Sequence, residues 1–264
     1  MSYSADGLYE YWNLAGVSGI NFRRPEPPAS GPYFACLGGA QVFGRYVGQP
    51  FPSLLSAGLG VPGVNLGVAG AGPKFFADSD PIIELVNGGE FAVIVVMSGR
   101  SCSTPLWRCP GAIAGGRLVE AATGKDHQFG WAMRSVLNKG KKHAGMVARQ
   151  FREAYMWDFA QLLARVRVPT YLVWMSARQP AFTPRLAKMK KGNPYPFTGK
   201  FPHFVNSEML ARLRANSTGF VSVVSSETAG PEGYYPGPKM HAAVAGELEN
   251  VIRRDLSNPH RGDA

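Results

Sequence analysis

At 264 residues, with 45% hydrophobic and 11% aromatic side chains, the chain carries enough apolar material for a sizeable core, which excludes a wholly disordered protein. Its 28 Lys and Arg against 18 Asp and Glu leave a formal charge of +10, a balance that draws acidic partners. The longest unbroken apolar run, residues 91–97, is far shorter than the about 20 residues of a membrane-spanning helix, so no membrane span is expected.

Residues 1–32 are polar, aromatic and proline-rich and read as an N-terminal arm lying on the domain. They open without a basic stretch or a continuous apolar segment, so no secretory leader is expected and a cytoplasmic location is the default. Residues 33–256 read as a single α/β domain. Residues 33–37 predict a first strand ending at Gly38 and Gly39, and 51–59 a helix stopped by Gly60 and Pro62. A second strand is expected over 64–66, followed by a turn run from Gly67 to Pro73. Asp80 is expected to cap the next helix, with Pro81 in its first position and Gly88 after it. Residues 91–97 predict a strand buried on both faces, because apolar and β-branched side chains run through it without alternation.

Residues 100–148 show no clear element and read as a long irregular insertion. Phe151, Tyr155, Phe159, Leu162, Leu163 and Val166 then form one helical stripe, and a strand is expected over 170–175. A second basic, proline-rich insertion covers 177–203. A helix over 208–214, a fifth strand over 220–224 and a terminal helix carrying Val244, Leu248, Val251, Ile252 and Leu256 complete the domain. Residues 257–264 read as a disordered tail, and its Arg261-Gly262-Asp263 as chance. Five strands alternating with helices predict a three-layer α/β/α sandwich with a mostly parallel five-stranded sheet in flavodoxin-like order.

Three cysteines, Cys36, Cys102 and Cys109, exclude a disulfide framework; Cys36 reads as a core residue, and pairing of Cys102 with Cys109 is not expected. The five histidines show no metal-ligand spacing, so no metal or cofactor is expected. Two basic clusters (Lys139, Lys141, Lys142 and His143; Arg185, Lys188, Lys190 and Lys191) offer polyanion contact through the insertions, or simply solvated loops. No helix-turn-helix, RNP or finger pattern accompanies them.

Ligands of parallel sheets bind at the carboxyl ends of the strands, and four such places carry unusual residues. They are Gly38-Gly39-Ala40-Gln41 with Gly44, Asn65-Leu66-Gly67-Val68-Ala69-Gly70, Ser98-Gly99-Arg100-Ser101, and Pro238-Lys239-Met240-His241. Their order and spacing over residues 33–256 resemble the SGNH (GDSL-type) hydrolase superfamily, and bacterial relatives that share an altered first motif. The resemblance implies a GDS-type turn at Gly38-Gly39-Ala40, an oxyanion glycine at Gly70, Arg100 in place of the oxyanion asparagine, and a DxxH motif in which His241 is kept and Pro238 replaces the aspartate.

Three identities depart from that pattern. Ala40 has no oxygen, so a serine acyl-enzyme cannot form there. Pro238 cannot orient an imidazole. Arg100 places a permanent cation and a planar donor fork where an oxyanion would sit. The expectation is therefore a catalytically divergent hydrolase-like protein, a pseudoenzyme that binds an anionic or carbohydrate ligand through Ala40, Gln41, Gly70, Arg100 and Ser101. The alternatives are a group transferase or esterase/deacetylase acting on a glycan through His241 and Arg100 without a serine nucleophile, and a structural assembly subunit. Gly70 could merely make a turn and His241 merely cap a helix. Ser98 and Ser101 could be turn hydroxyls or displaced nucleophiles; Glu232 could replace the missing aspartate, and Cys102 could be an activated thiolate or core packing.

Overall fold

The computed structural model describes residues 9–111, 116–181, 195–230 and 233–257. The arm contributes two short antiparallel strands, β1 (Tyr11–Trp12) and β2 (Phe22–Arg23), whose Trp12 and Phe22 are buried against the domain. The domain begins with β3 (Phe34–Gly38), the four-residue helix α1 (Ala40–Phe43), α2 (Phe51–Leu59) and β4 (Gly63–Gly67). Then come α3 (Pro73–Ala77), α4 (Asp80–Asn87) and β5 (Phe91–Val95). Ser79, not Asp80, is the N-cap of α4, and neither side chain makes a capping bond. Asp80 instead lies in the first turn, where its charge suits the helix dipole and pairs with Arg165 at 2.5 Å.

A 3₁₀ turn (Gly99–Ser101) follows β5. The stretch expected to be irregular then folds into an antiparallel sheet of β6 (Trp107–Arg108), β7 (Arg117–Glu120) and β8 (Asp126–Gln128), the helix α5 (Phe129–Asn138) and the start of α6 (Lys141–Arg165). These strands hold two to four residues each, too short for alternation to register. They cover a separate small core of Trp107, Leu118, Phe129, Met133, Val136 and Phe151. The chain continues through β9 (Thr170–Ser176), α7 (Tyr195–Thr198), α8 (Ser207–Arg214), β10 (Gly219–Val224), the small hairpin β11 (Thr228–Ala229) and β12 (Tyr235–Pro236), and the terminal helix α9 (Pro238–Ser257).

The main sheet runs β10-β9-β5-β3-β4 with all neighbours parallel, the flavodoxin-like order expected. Successive residues point to opposite faces and feed two cores. Ala35, Leu37, Ala92, Ile94, Leu172 and Trp174 face the layer that holds the arm, α3, α4, α6 and α8. Phe34, Cys36, Val93, Val95, Val173 and Met175 face α2 and α9. Burial on both sides explains why β5 reads as an unbroken apolar run. The strands of the main sheet all exit at one edge, where the candidate site residues lie. No helix among the described residues is long and apolar enough to cross a membrane.

Candidate functional site

The turn after β3 is built from three constraints. Arg23, almost fully buried, donates from Nη1 to the carbonyls of Phe43 (3.1 Å), Gly44 (2.9 Å) and Val47 (2.9 Å), and from Nη2 to that of Gly48 (2.6 Å). Asn65, buried in β4, donates to the Val42 carbonyl at 2.9 Å while its Oδ1 accepts the Gly67 N–H at 2.9 Å. Gly67 lets the backbones of β4 and α1 touch: a Cβ there would stand 2.1 Å from the Phe43 nitrogen. Ala40 is thereby fixed at the start of α1, and the N–H groups of Ala40 and Gln41 have no protein acceptor among the described residues. The N–H of Gly70, in a left-handed turn (φ 80°), is likewise open.

These groups line a cavity of about 130 Å³ with Arg45, Ser98, Arg100, Ser101 and Tyr235. Ala40, Gln41, Gly70, Arg100 and Ser101 are thus brought together from three strand exits. Arg100 reaches in from the 3₁₀ turn, where Ser98 Oγ accepts its backbone N–H at 3.4 Å, so Ser98 serves as a turn hydroxyl. The Arg100 Nη1 lies 3.5 Å from the Tyr234 hydroxyl, and its buried Nε has no acceptor among the described residues. Gly116, before β7, packs on the guanidinium so closely that a Cβ would lie 3.2 Å from Cζ; the first insertion therefore reaches the cleft. Arg45 sits over the rings of Tyr46 and Tyr235 at 5.3 and 5.4 Å. Neither arginine has an ion-pair partner among the described residues.

A second, larger cavity of about 420 Å³ adjoins the first through Gln41, Phe201 and Tyr234, which line both. It is walled by the exits of β9 and β10, including Ser176, Ser225, Ser226 and Glu227, together with His203 and Lys200 from the second insertion. Glu227 had no signal beyond its place after a strand. Its carboxylate accepts the backbone N–H groups of Lys239 (3.4 Å) and Met240 (3.2 Å), so it caps the start of α9 beside Pro238. Arg178 holds the wall in place by donating to the carbonyls of Lys200, Pro202 and Val205, and burial pulls its guanidinium down to about 10. His203 is buried, and desolvation, helped by Arg100 and Arg178, pushes it well below the usual imidazole range, so it is neutral at pH 7.

His241 lies elsewhere. It sits in the first turn of α9, wholly buried, with Nδ1 accepting the Phe51 N–H at 3.1 Å and its ring stacked on that of Phe51. It lines neither cavity. Burial, with the Arg23 charge adding, lowers it to about 4. Cys102 is buried beside Asp158 and its thiol is pushed up by desolvation first and then by that carboxylate, so of the two readings it is core packing and not an activated thiolate. All three cysteines are free thiols. Glu232, His260, the tail motif and the cluster Arg185, Lys188, Lys190 and Lys191 fall outside the described residues; Lys139, Lys141 and Lys142 are exposed around the α5–α6 junction.

The chain is similar in structure to several solved proteins. A carbohydrate esterase family 2 enzyme with a carbohydrate-binding domain from Corynascus thermopiles (Myceliophthora fergusii) matches at 13% identity and TM-score 0.44, over 89% of this chain and 69% of that one. An extracellular lipase from Streptomyces rimosus matches at 10% identity and TM-score 0.47, over 85% and 99%. A protein of the G-D-S-L family, described as lipolytic, from Desulfitobacterium hafniense DCB-2 matches at 11% identity and TM-score 0.45, over 84% and 99%. No curated protein matches the chain in sequence. A family model described as "Domain of unknown function (DUF6473)" matches residues 2–109 and 125–256.

Proposed function

The chain belongs to the DUF6473 family, and we propose that it is a catalytically divergent hydrolase-like protein that holds an oxyanion-bearing ligand in the cleft at the carboxyl edge of its sheet. The observation that carries this reading is the smaller cavity: two arginines without carboxylate partners among the described residues, Arg45 and Arg100, line it together with Ala40, Gln41 and Gly70, whose backbone N–H groups have no acceptor among the described residues. No Asp or Glu lines it. Such a convergence of fixed donors and cations suits a phosphate, sulfate or carboxylate. Two further facts speak against ester hydrolysis through a serine acyl-enzyme at this turn. Ala40 offers no nucleophilic oxygen, and His241, the inherited imidazole, is sealed beneath α2 away from the cavity.

The test is calorimetric titration of inorganic phosphate and sulfate into the intact chain and into Arg100→Met, which keeps an unbranched apolar stem and removes the charged fork. Saturable binding that weakens at least tenfold in the variant is expected. Equal binding by both proteins, or none by either, would end the proposal. A parallel assay with an aryl acetate is expected to show no turnover that depends on His241.

A further inference from the structure

The two cavities adjoin: Gln41, Phe201 and Tyr234 line both, so two aromatic side chains and an amide stand at their junction. The two lobes differ in chemistry. The small one, about 130 Å³, presents cations and backbone donors and no carboxylate. The large one, about 420 Å³, presents one carboxylate (Glu227), one ammonium (Lys200), His203 and the hydroxyls of Ser225, Ser226 and Thr228 against an apolar wall of Met175 and Met240.

Resting on the proposed oxyanion site, we infer that the ligand is a sugar ester of phosphate or sulfate, its charged group in the small lobe and its polyhydroxylated ring in the large one. Glu227 and Lys200 give the large lobe one negative and one positive group, so its lining favours a body with no net charge that can both donate and accept. A purely apolar body would leave that carboxylate desolvated without a new donor, which is costly. Sugar hydroxyls satisfy both conditions. Glu227 spends part of its acceptor capacity on the Lys239 and Met240 N–H groups, and a carboxylate has room for further donors. Ser225 Oγ accepts the Glu227 N–H at 3.1 Å, which leaves its own proton for a ligand oxygen. The faces of a pyranose ring are C–H rich, and Phe201 and Tyr234 at the junction, with the two methionines beyond, supply apolar surface for them. The volume of the large lobe falls within the range of small-molecule sites.

The experiment measures affinity by calorimetry for inorganic phosphate, inorganic sulfate, glucose, the 6-phosphates of glucose, mannose and N-acetylglucosamine, and glucose 6-sulfate. At least one sugar ester is expected to bind ten times tighter or more than its free oxyanion, and free glucose to bind more weakly than any ester that binds. Phosphate against sulfate esters distinguishes the two anions. Ser226→Leu, an exposed position that fills the large lobe and leaves the α9 cap intact, is expected to lose the gain from the sugar while keeping the affinity for the free oxyanion. Glu227→Gln is expected to weaken the esters alone. Arg100-dependent binding of free phosphate or sulfate with no gain from any sugar overturns the inference and leaves the oxyanion site standing, as does an unchanged preference in Ser226→Leu. Failure of every oxyanion to bind removes both.

Discussion

The Nδ1 atom of His241 accepts the backbone N–H of Phe51 at 3.1 Å, and this bond ties the start of the terminal helix to the start of α2. Phe51 stands at the N-terminus of α2, where the first N–H groups have no partner within the helix, so the imidazole acts as a cap supplied from 190 residues away. A histidine that must offer a lone pair to this N–H is neutral, and it is not free to take a proton from a nucleophile.

Placing a serine at the turn is therefore not expected to create an esterase. Ala40→Ser is expected to fold and to show no aryl acetate turnover above the wild-type chain, because the base is closed off and Pro238 supplies no orienting carboxylate. Steady-state hydrolysis of the aryl ester checks this, and turnover in Ala40→Ser that vanishes in Ala40→Ser, His241→Ala would contradict it.

The same bond makes stability depend on pH. In the folded chain His241 titrates at about 4, against an ordinary value of 6.5, so the unfolded chain binds the proton more readily between those limits. The stabilisation is complete above pH 6.5 and is lost as the pH falls toward 4, by at most about 3–4 kcal/mol from this residue. His203, shifted in the same direction, adds to the slope. Melting temperature across pH 4 to 7 is expected to fall on acidification. His241→Asn, whose side-chain oxygen keeps an acceptor for Phe51, is expected to flatten part of that fall; an unchanged slope would place its origin elsewhere.

Arg23 ties the arm to the turn that carries Ala40, through four carbonyls and no carboxylate. Lysine keeps the charge but cannot spread donors across Phe43, Gly44, Val47 and Gly48 at once. Arg23→Lys is expected to cost about 2–4 kcal/mol, since buried carbonyls lose their donors, and to weaken oxyanion binding by loosening α1. Urea unfolding and the phosphate titration read the two effects; an unchanged unfolding midpoint would show that the arm does not brace the site.

At Gly67 the backbones of β4 and α1 lie in close approach. A methyl group there meets the Phe43 nitrogen at 2.1 Å and its Cα at 2.7 Å, and backbone cannot swing aside as a long side chain can. Gly67→Ala is expected to destabilise by roughly 3 kcal/mol or more, in the range of overpacked cores. Gly48→Ala, where a Cβ meets nothing within 4 Å, is the control and is expected to leave the unfolding midpoint nearly unchanged.

Local pattern was enough to find the main sheet. The helix over 51–59 keeps its expected bounds, and β5 lies within its apolar run, because long runs of apolar side chains and a terminal glycine act within a few residues. The elements of the first insertion escaped the same reading. Lys141, Lys142, His143 and Gly145 look like a loop by composition, yet α6 begins there because Ala144, Val147 and Ala148 pack on Phe151 and the small sheet. The helix Pro73–Ala77, which starts at the last residue of the glycine-rich turn, carried no expectation for a similar reason: its Phe76 is held by the core, and five residues carry little periodicity of their own.

By itself the sequence determined the layered fold, the absence of an oxygen at Ala40 and the set of strand exits from which a site would be made. These follow from side-chain chemistry and short-range periodicity, which need no knowledge of distant contacts. Only the tertiary structure decided that Arg45 and Arg100 share a cavity, that Glu227 and His203 wall its neighbour, and that His241 turns toward Phe51. Each of those depends on bringing together residues far apart in the chain, and on which face of a turn or helix the packing buries. A local pattern carries neither kind of information.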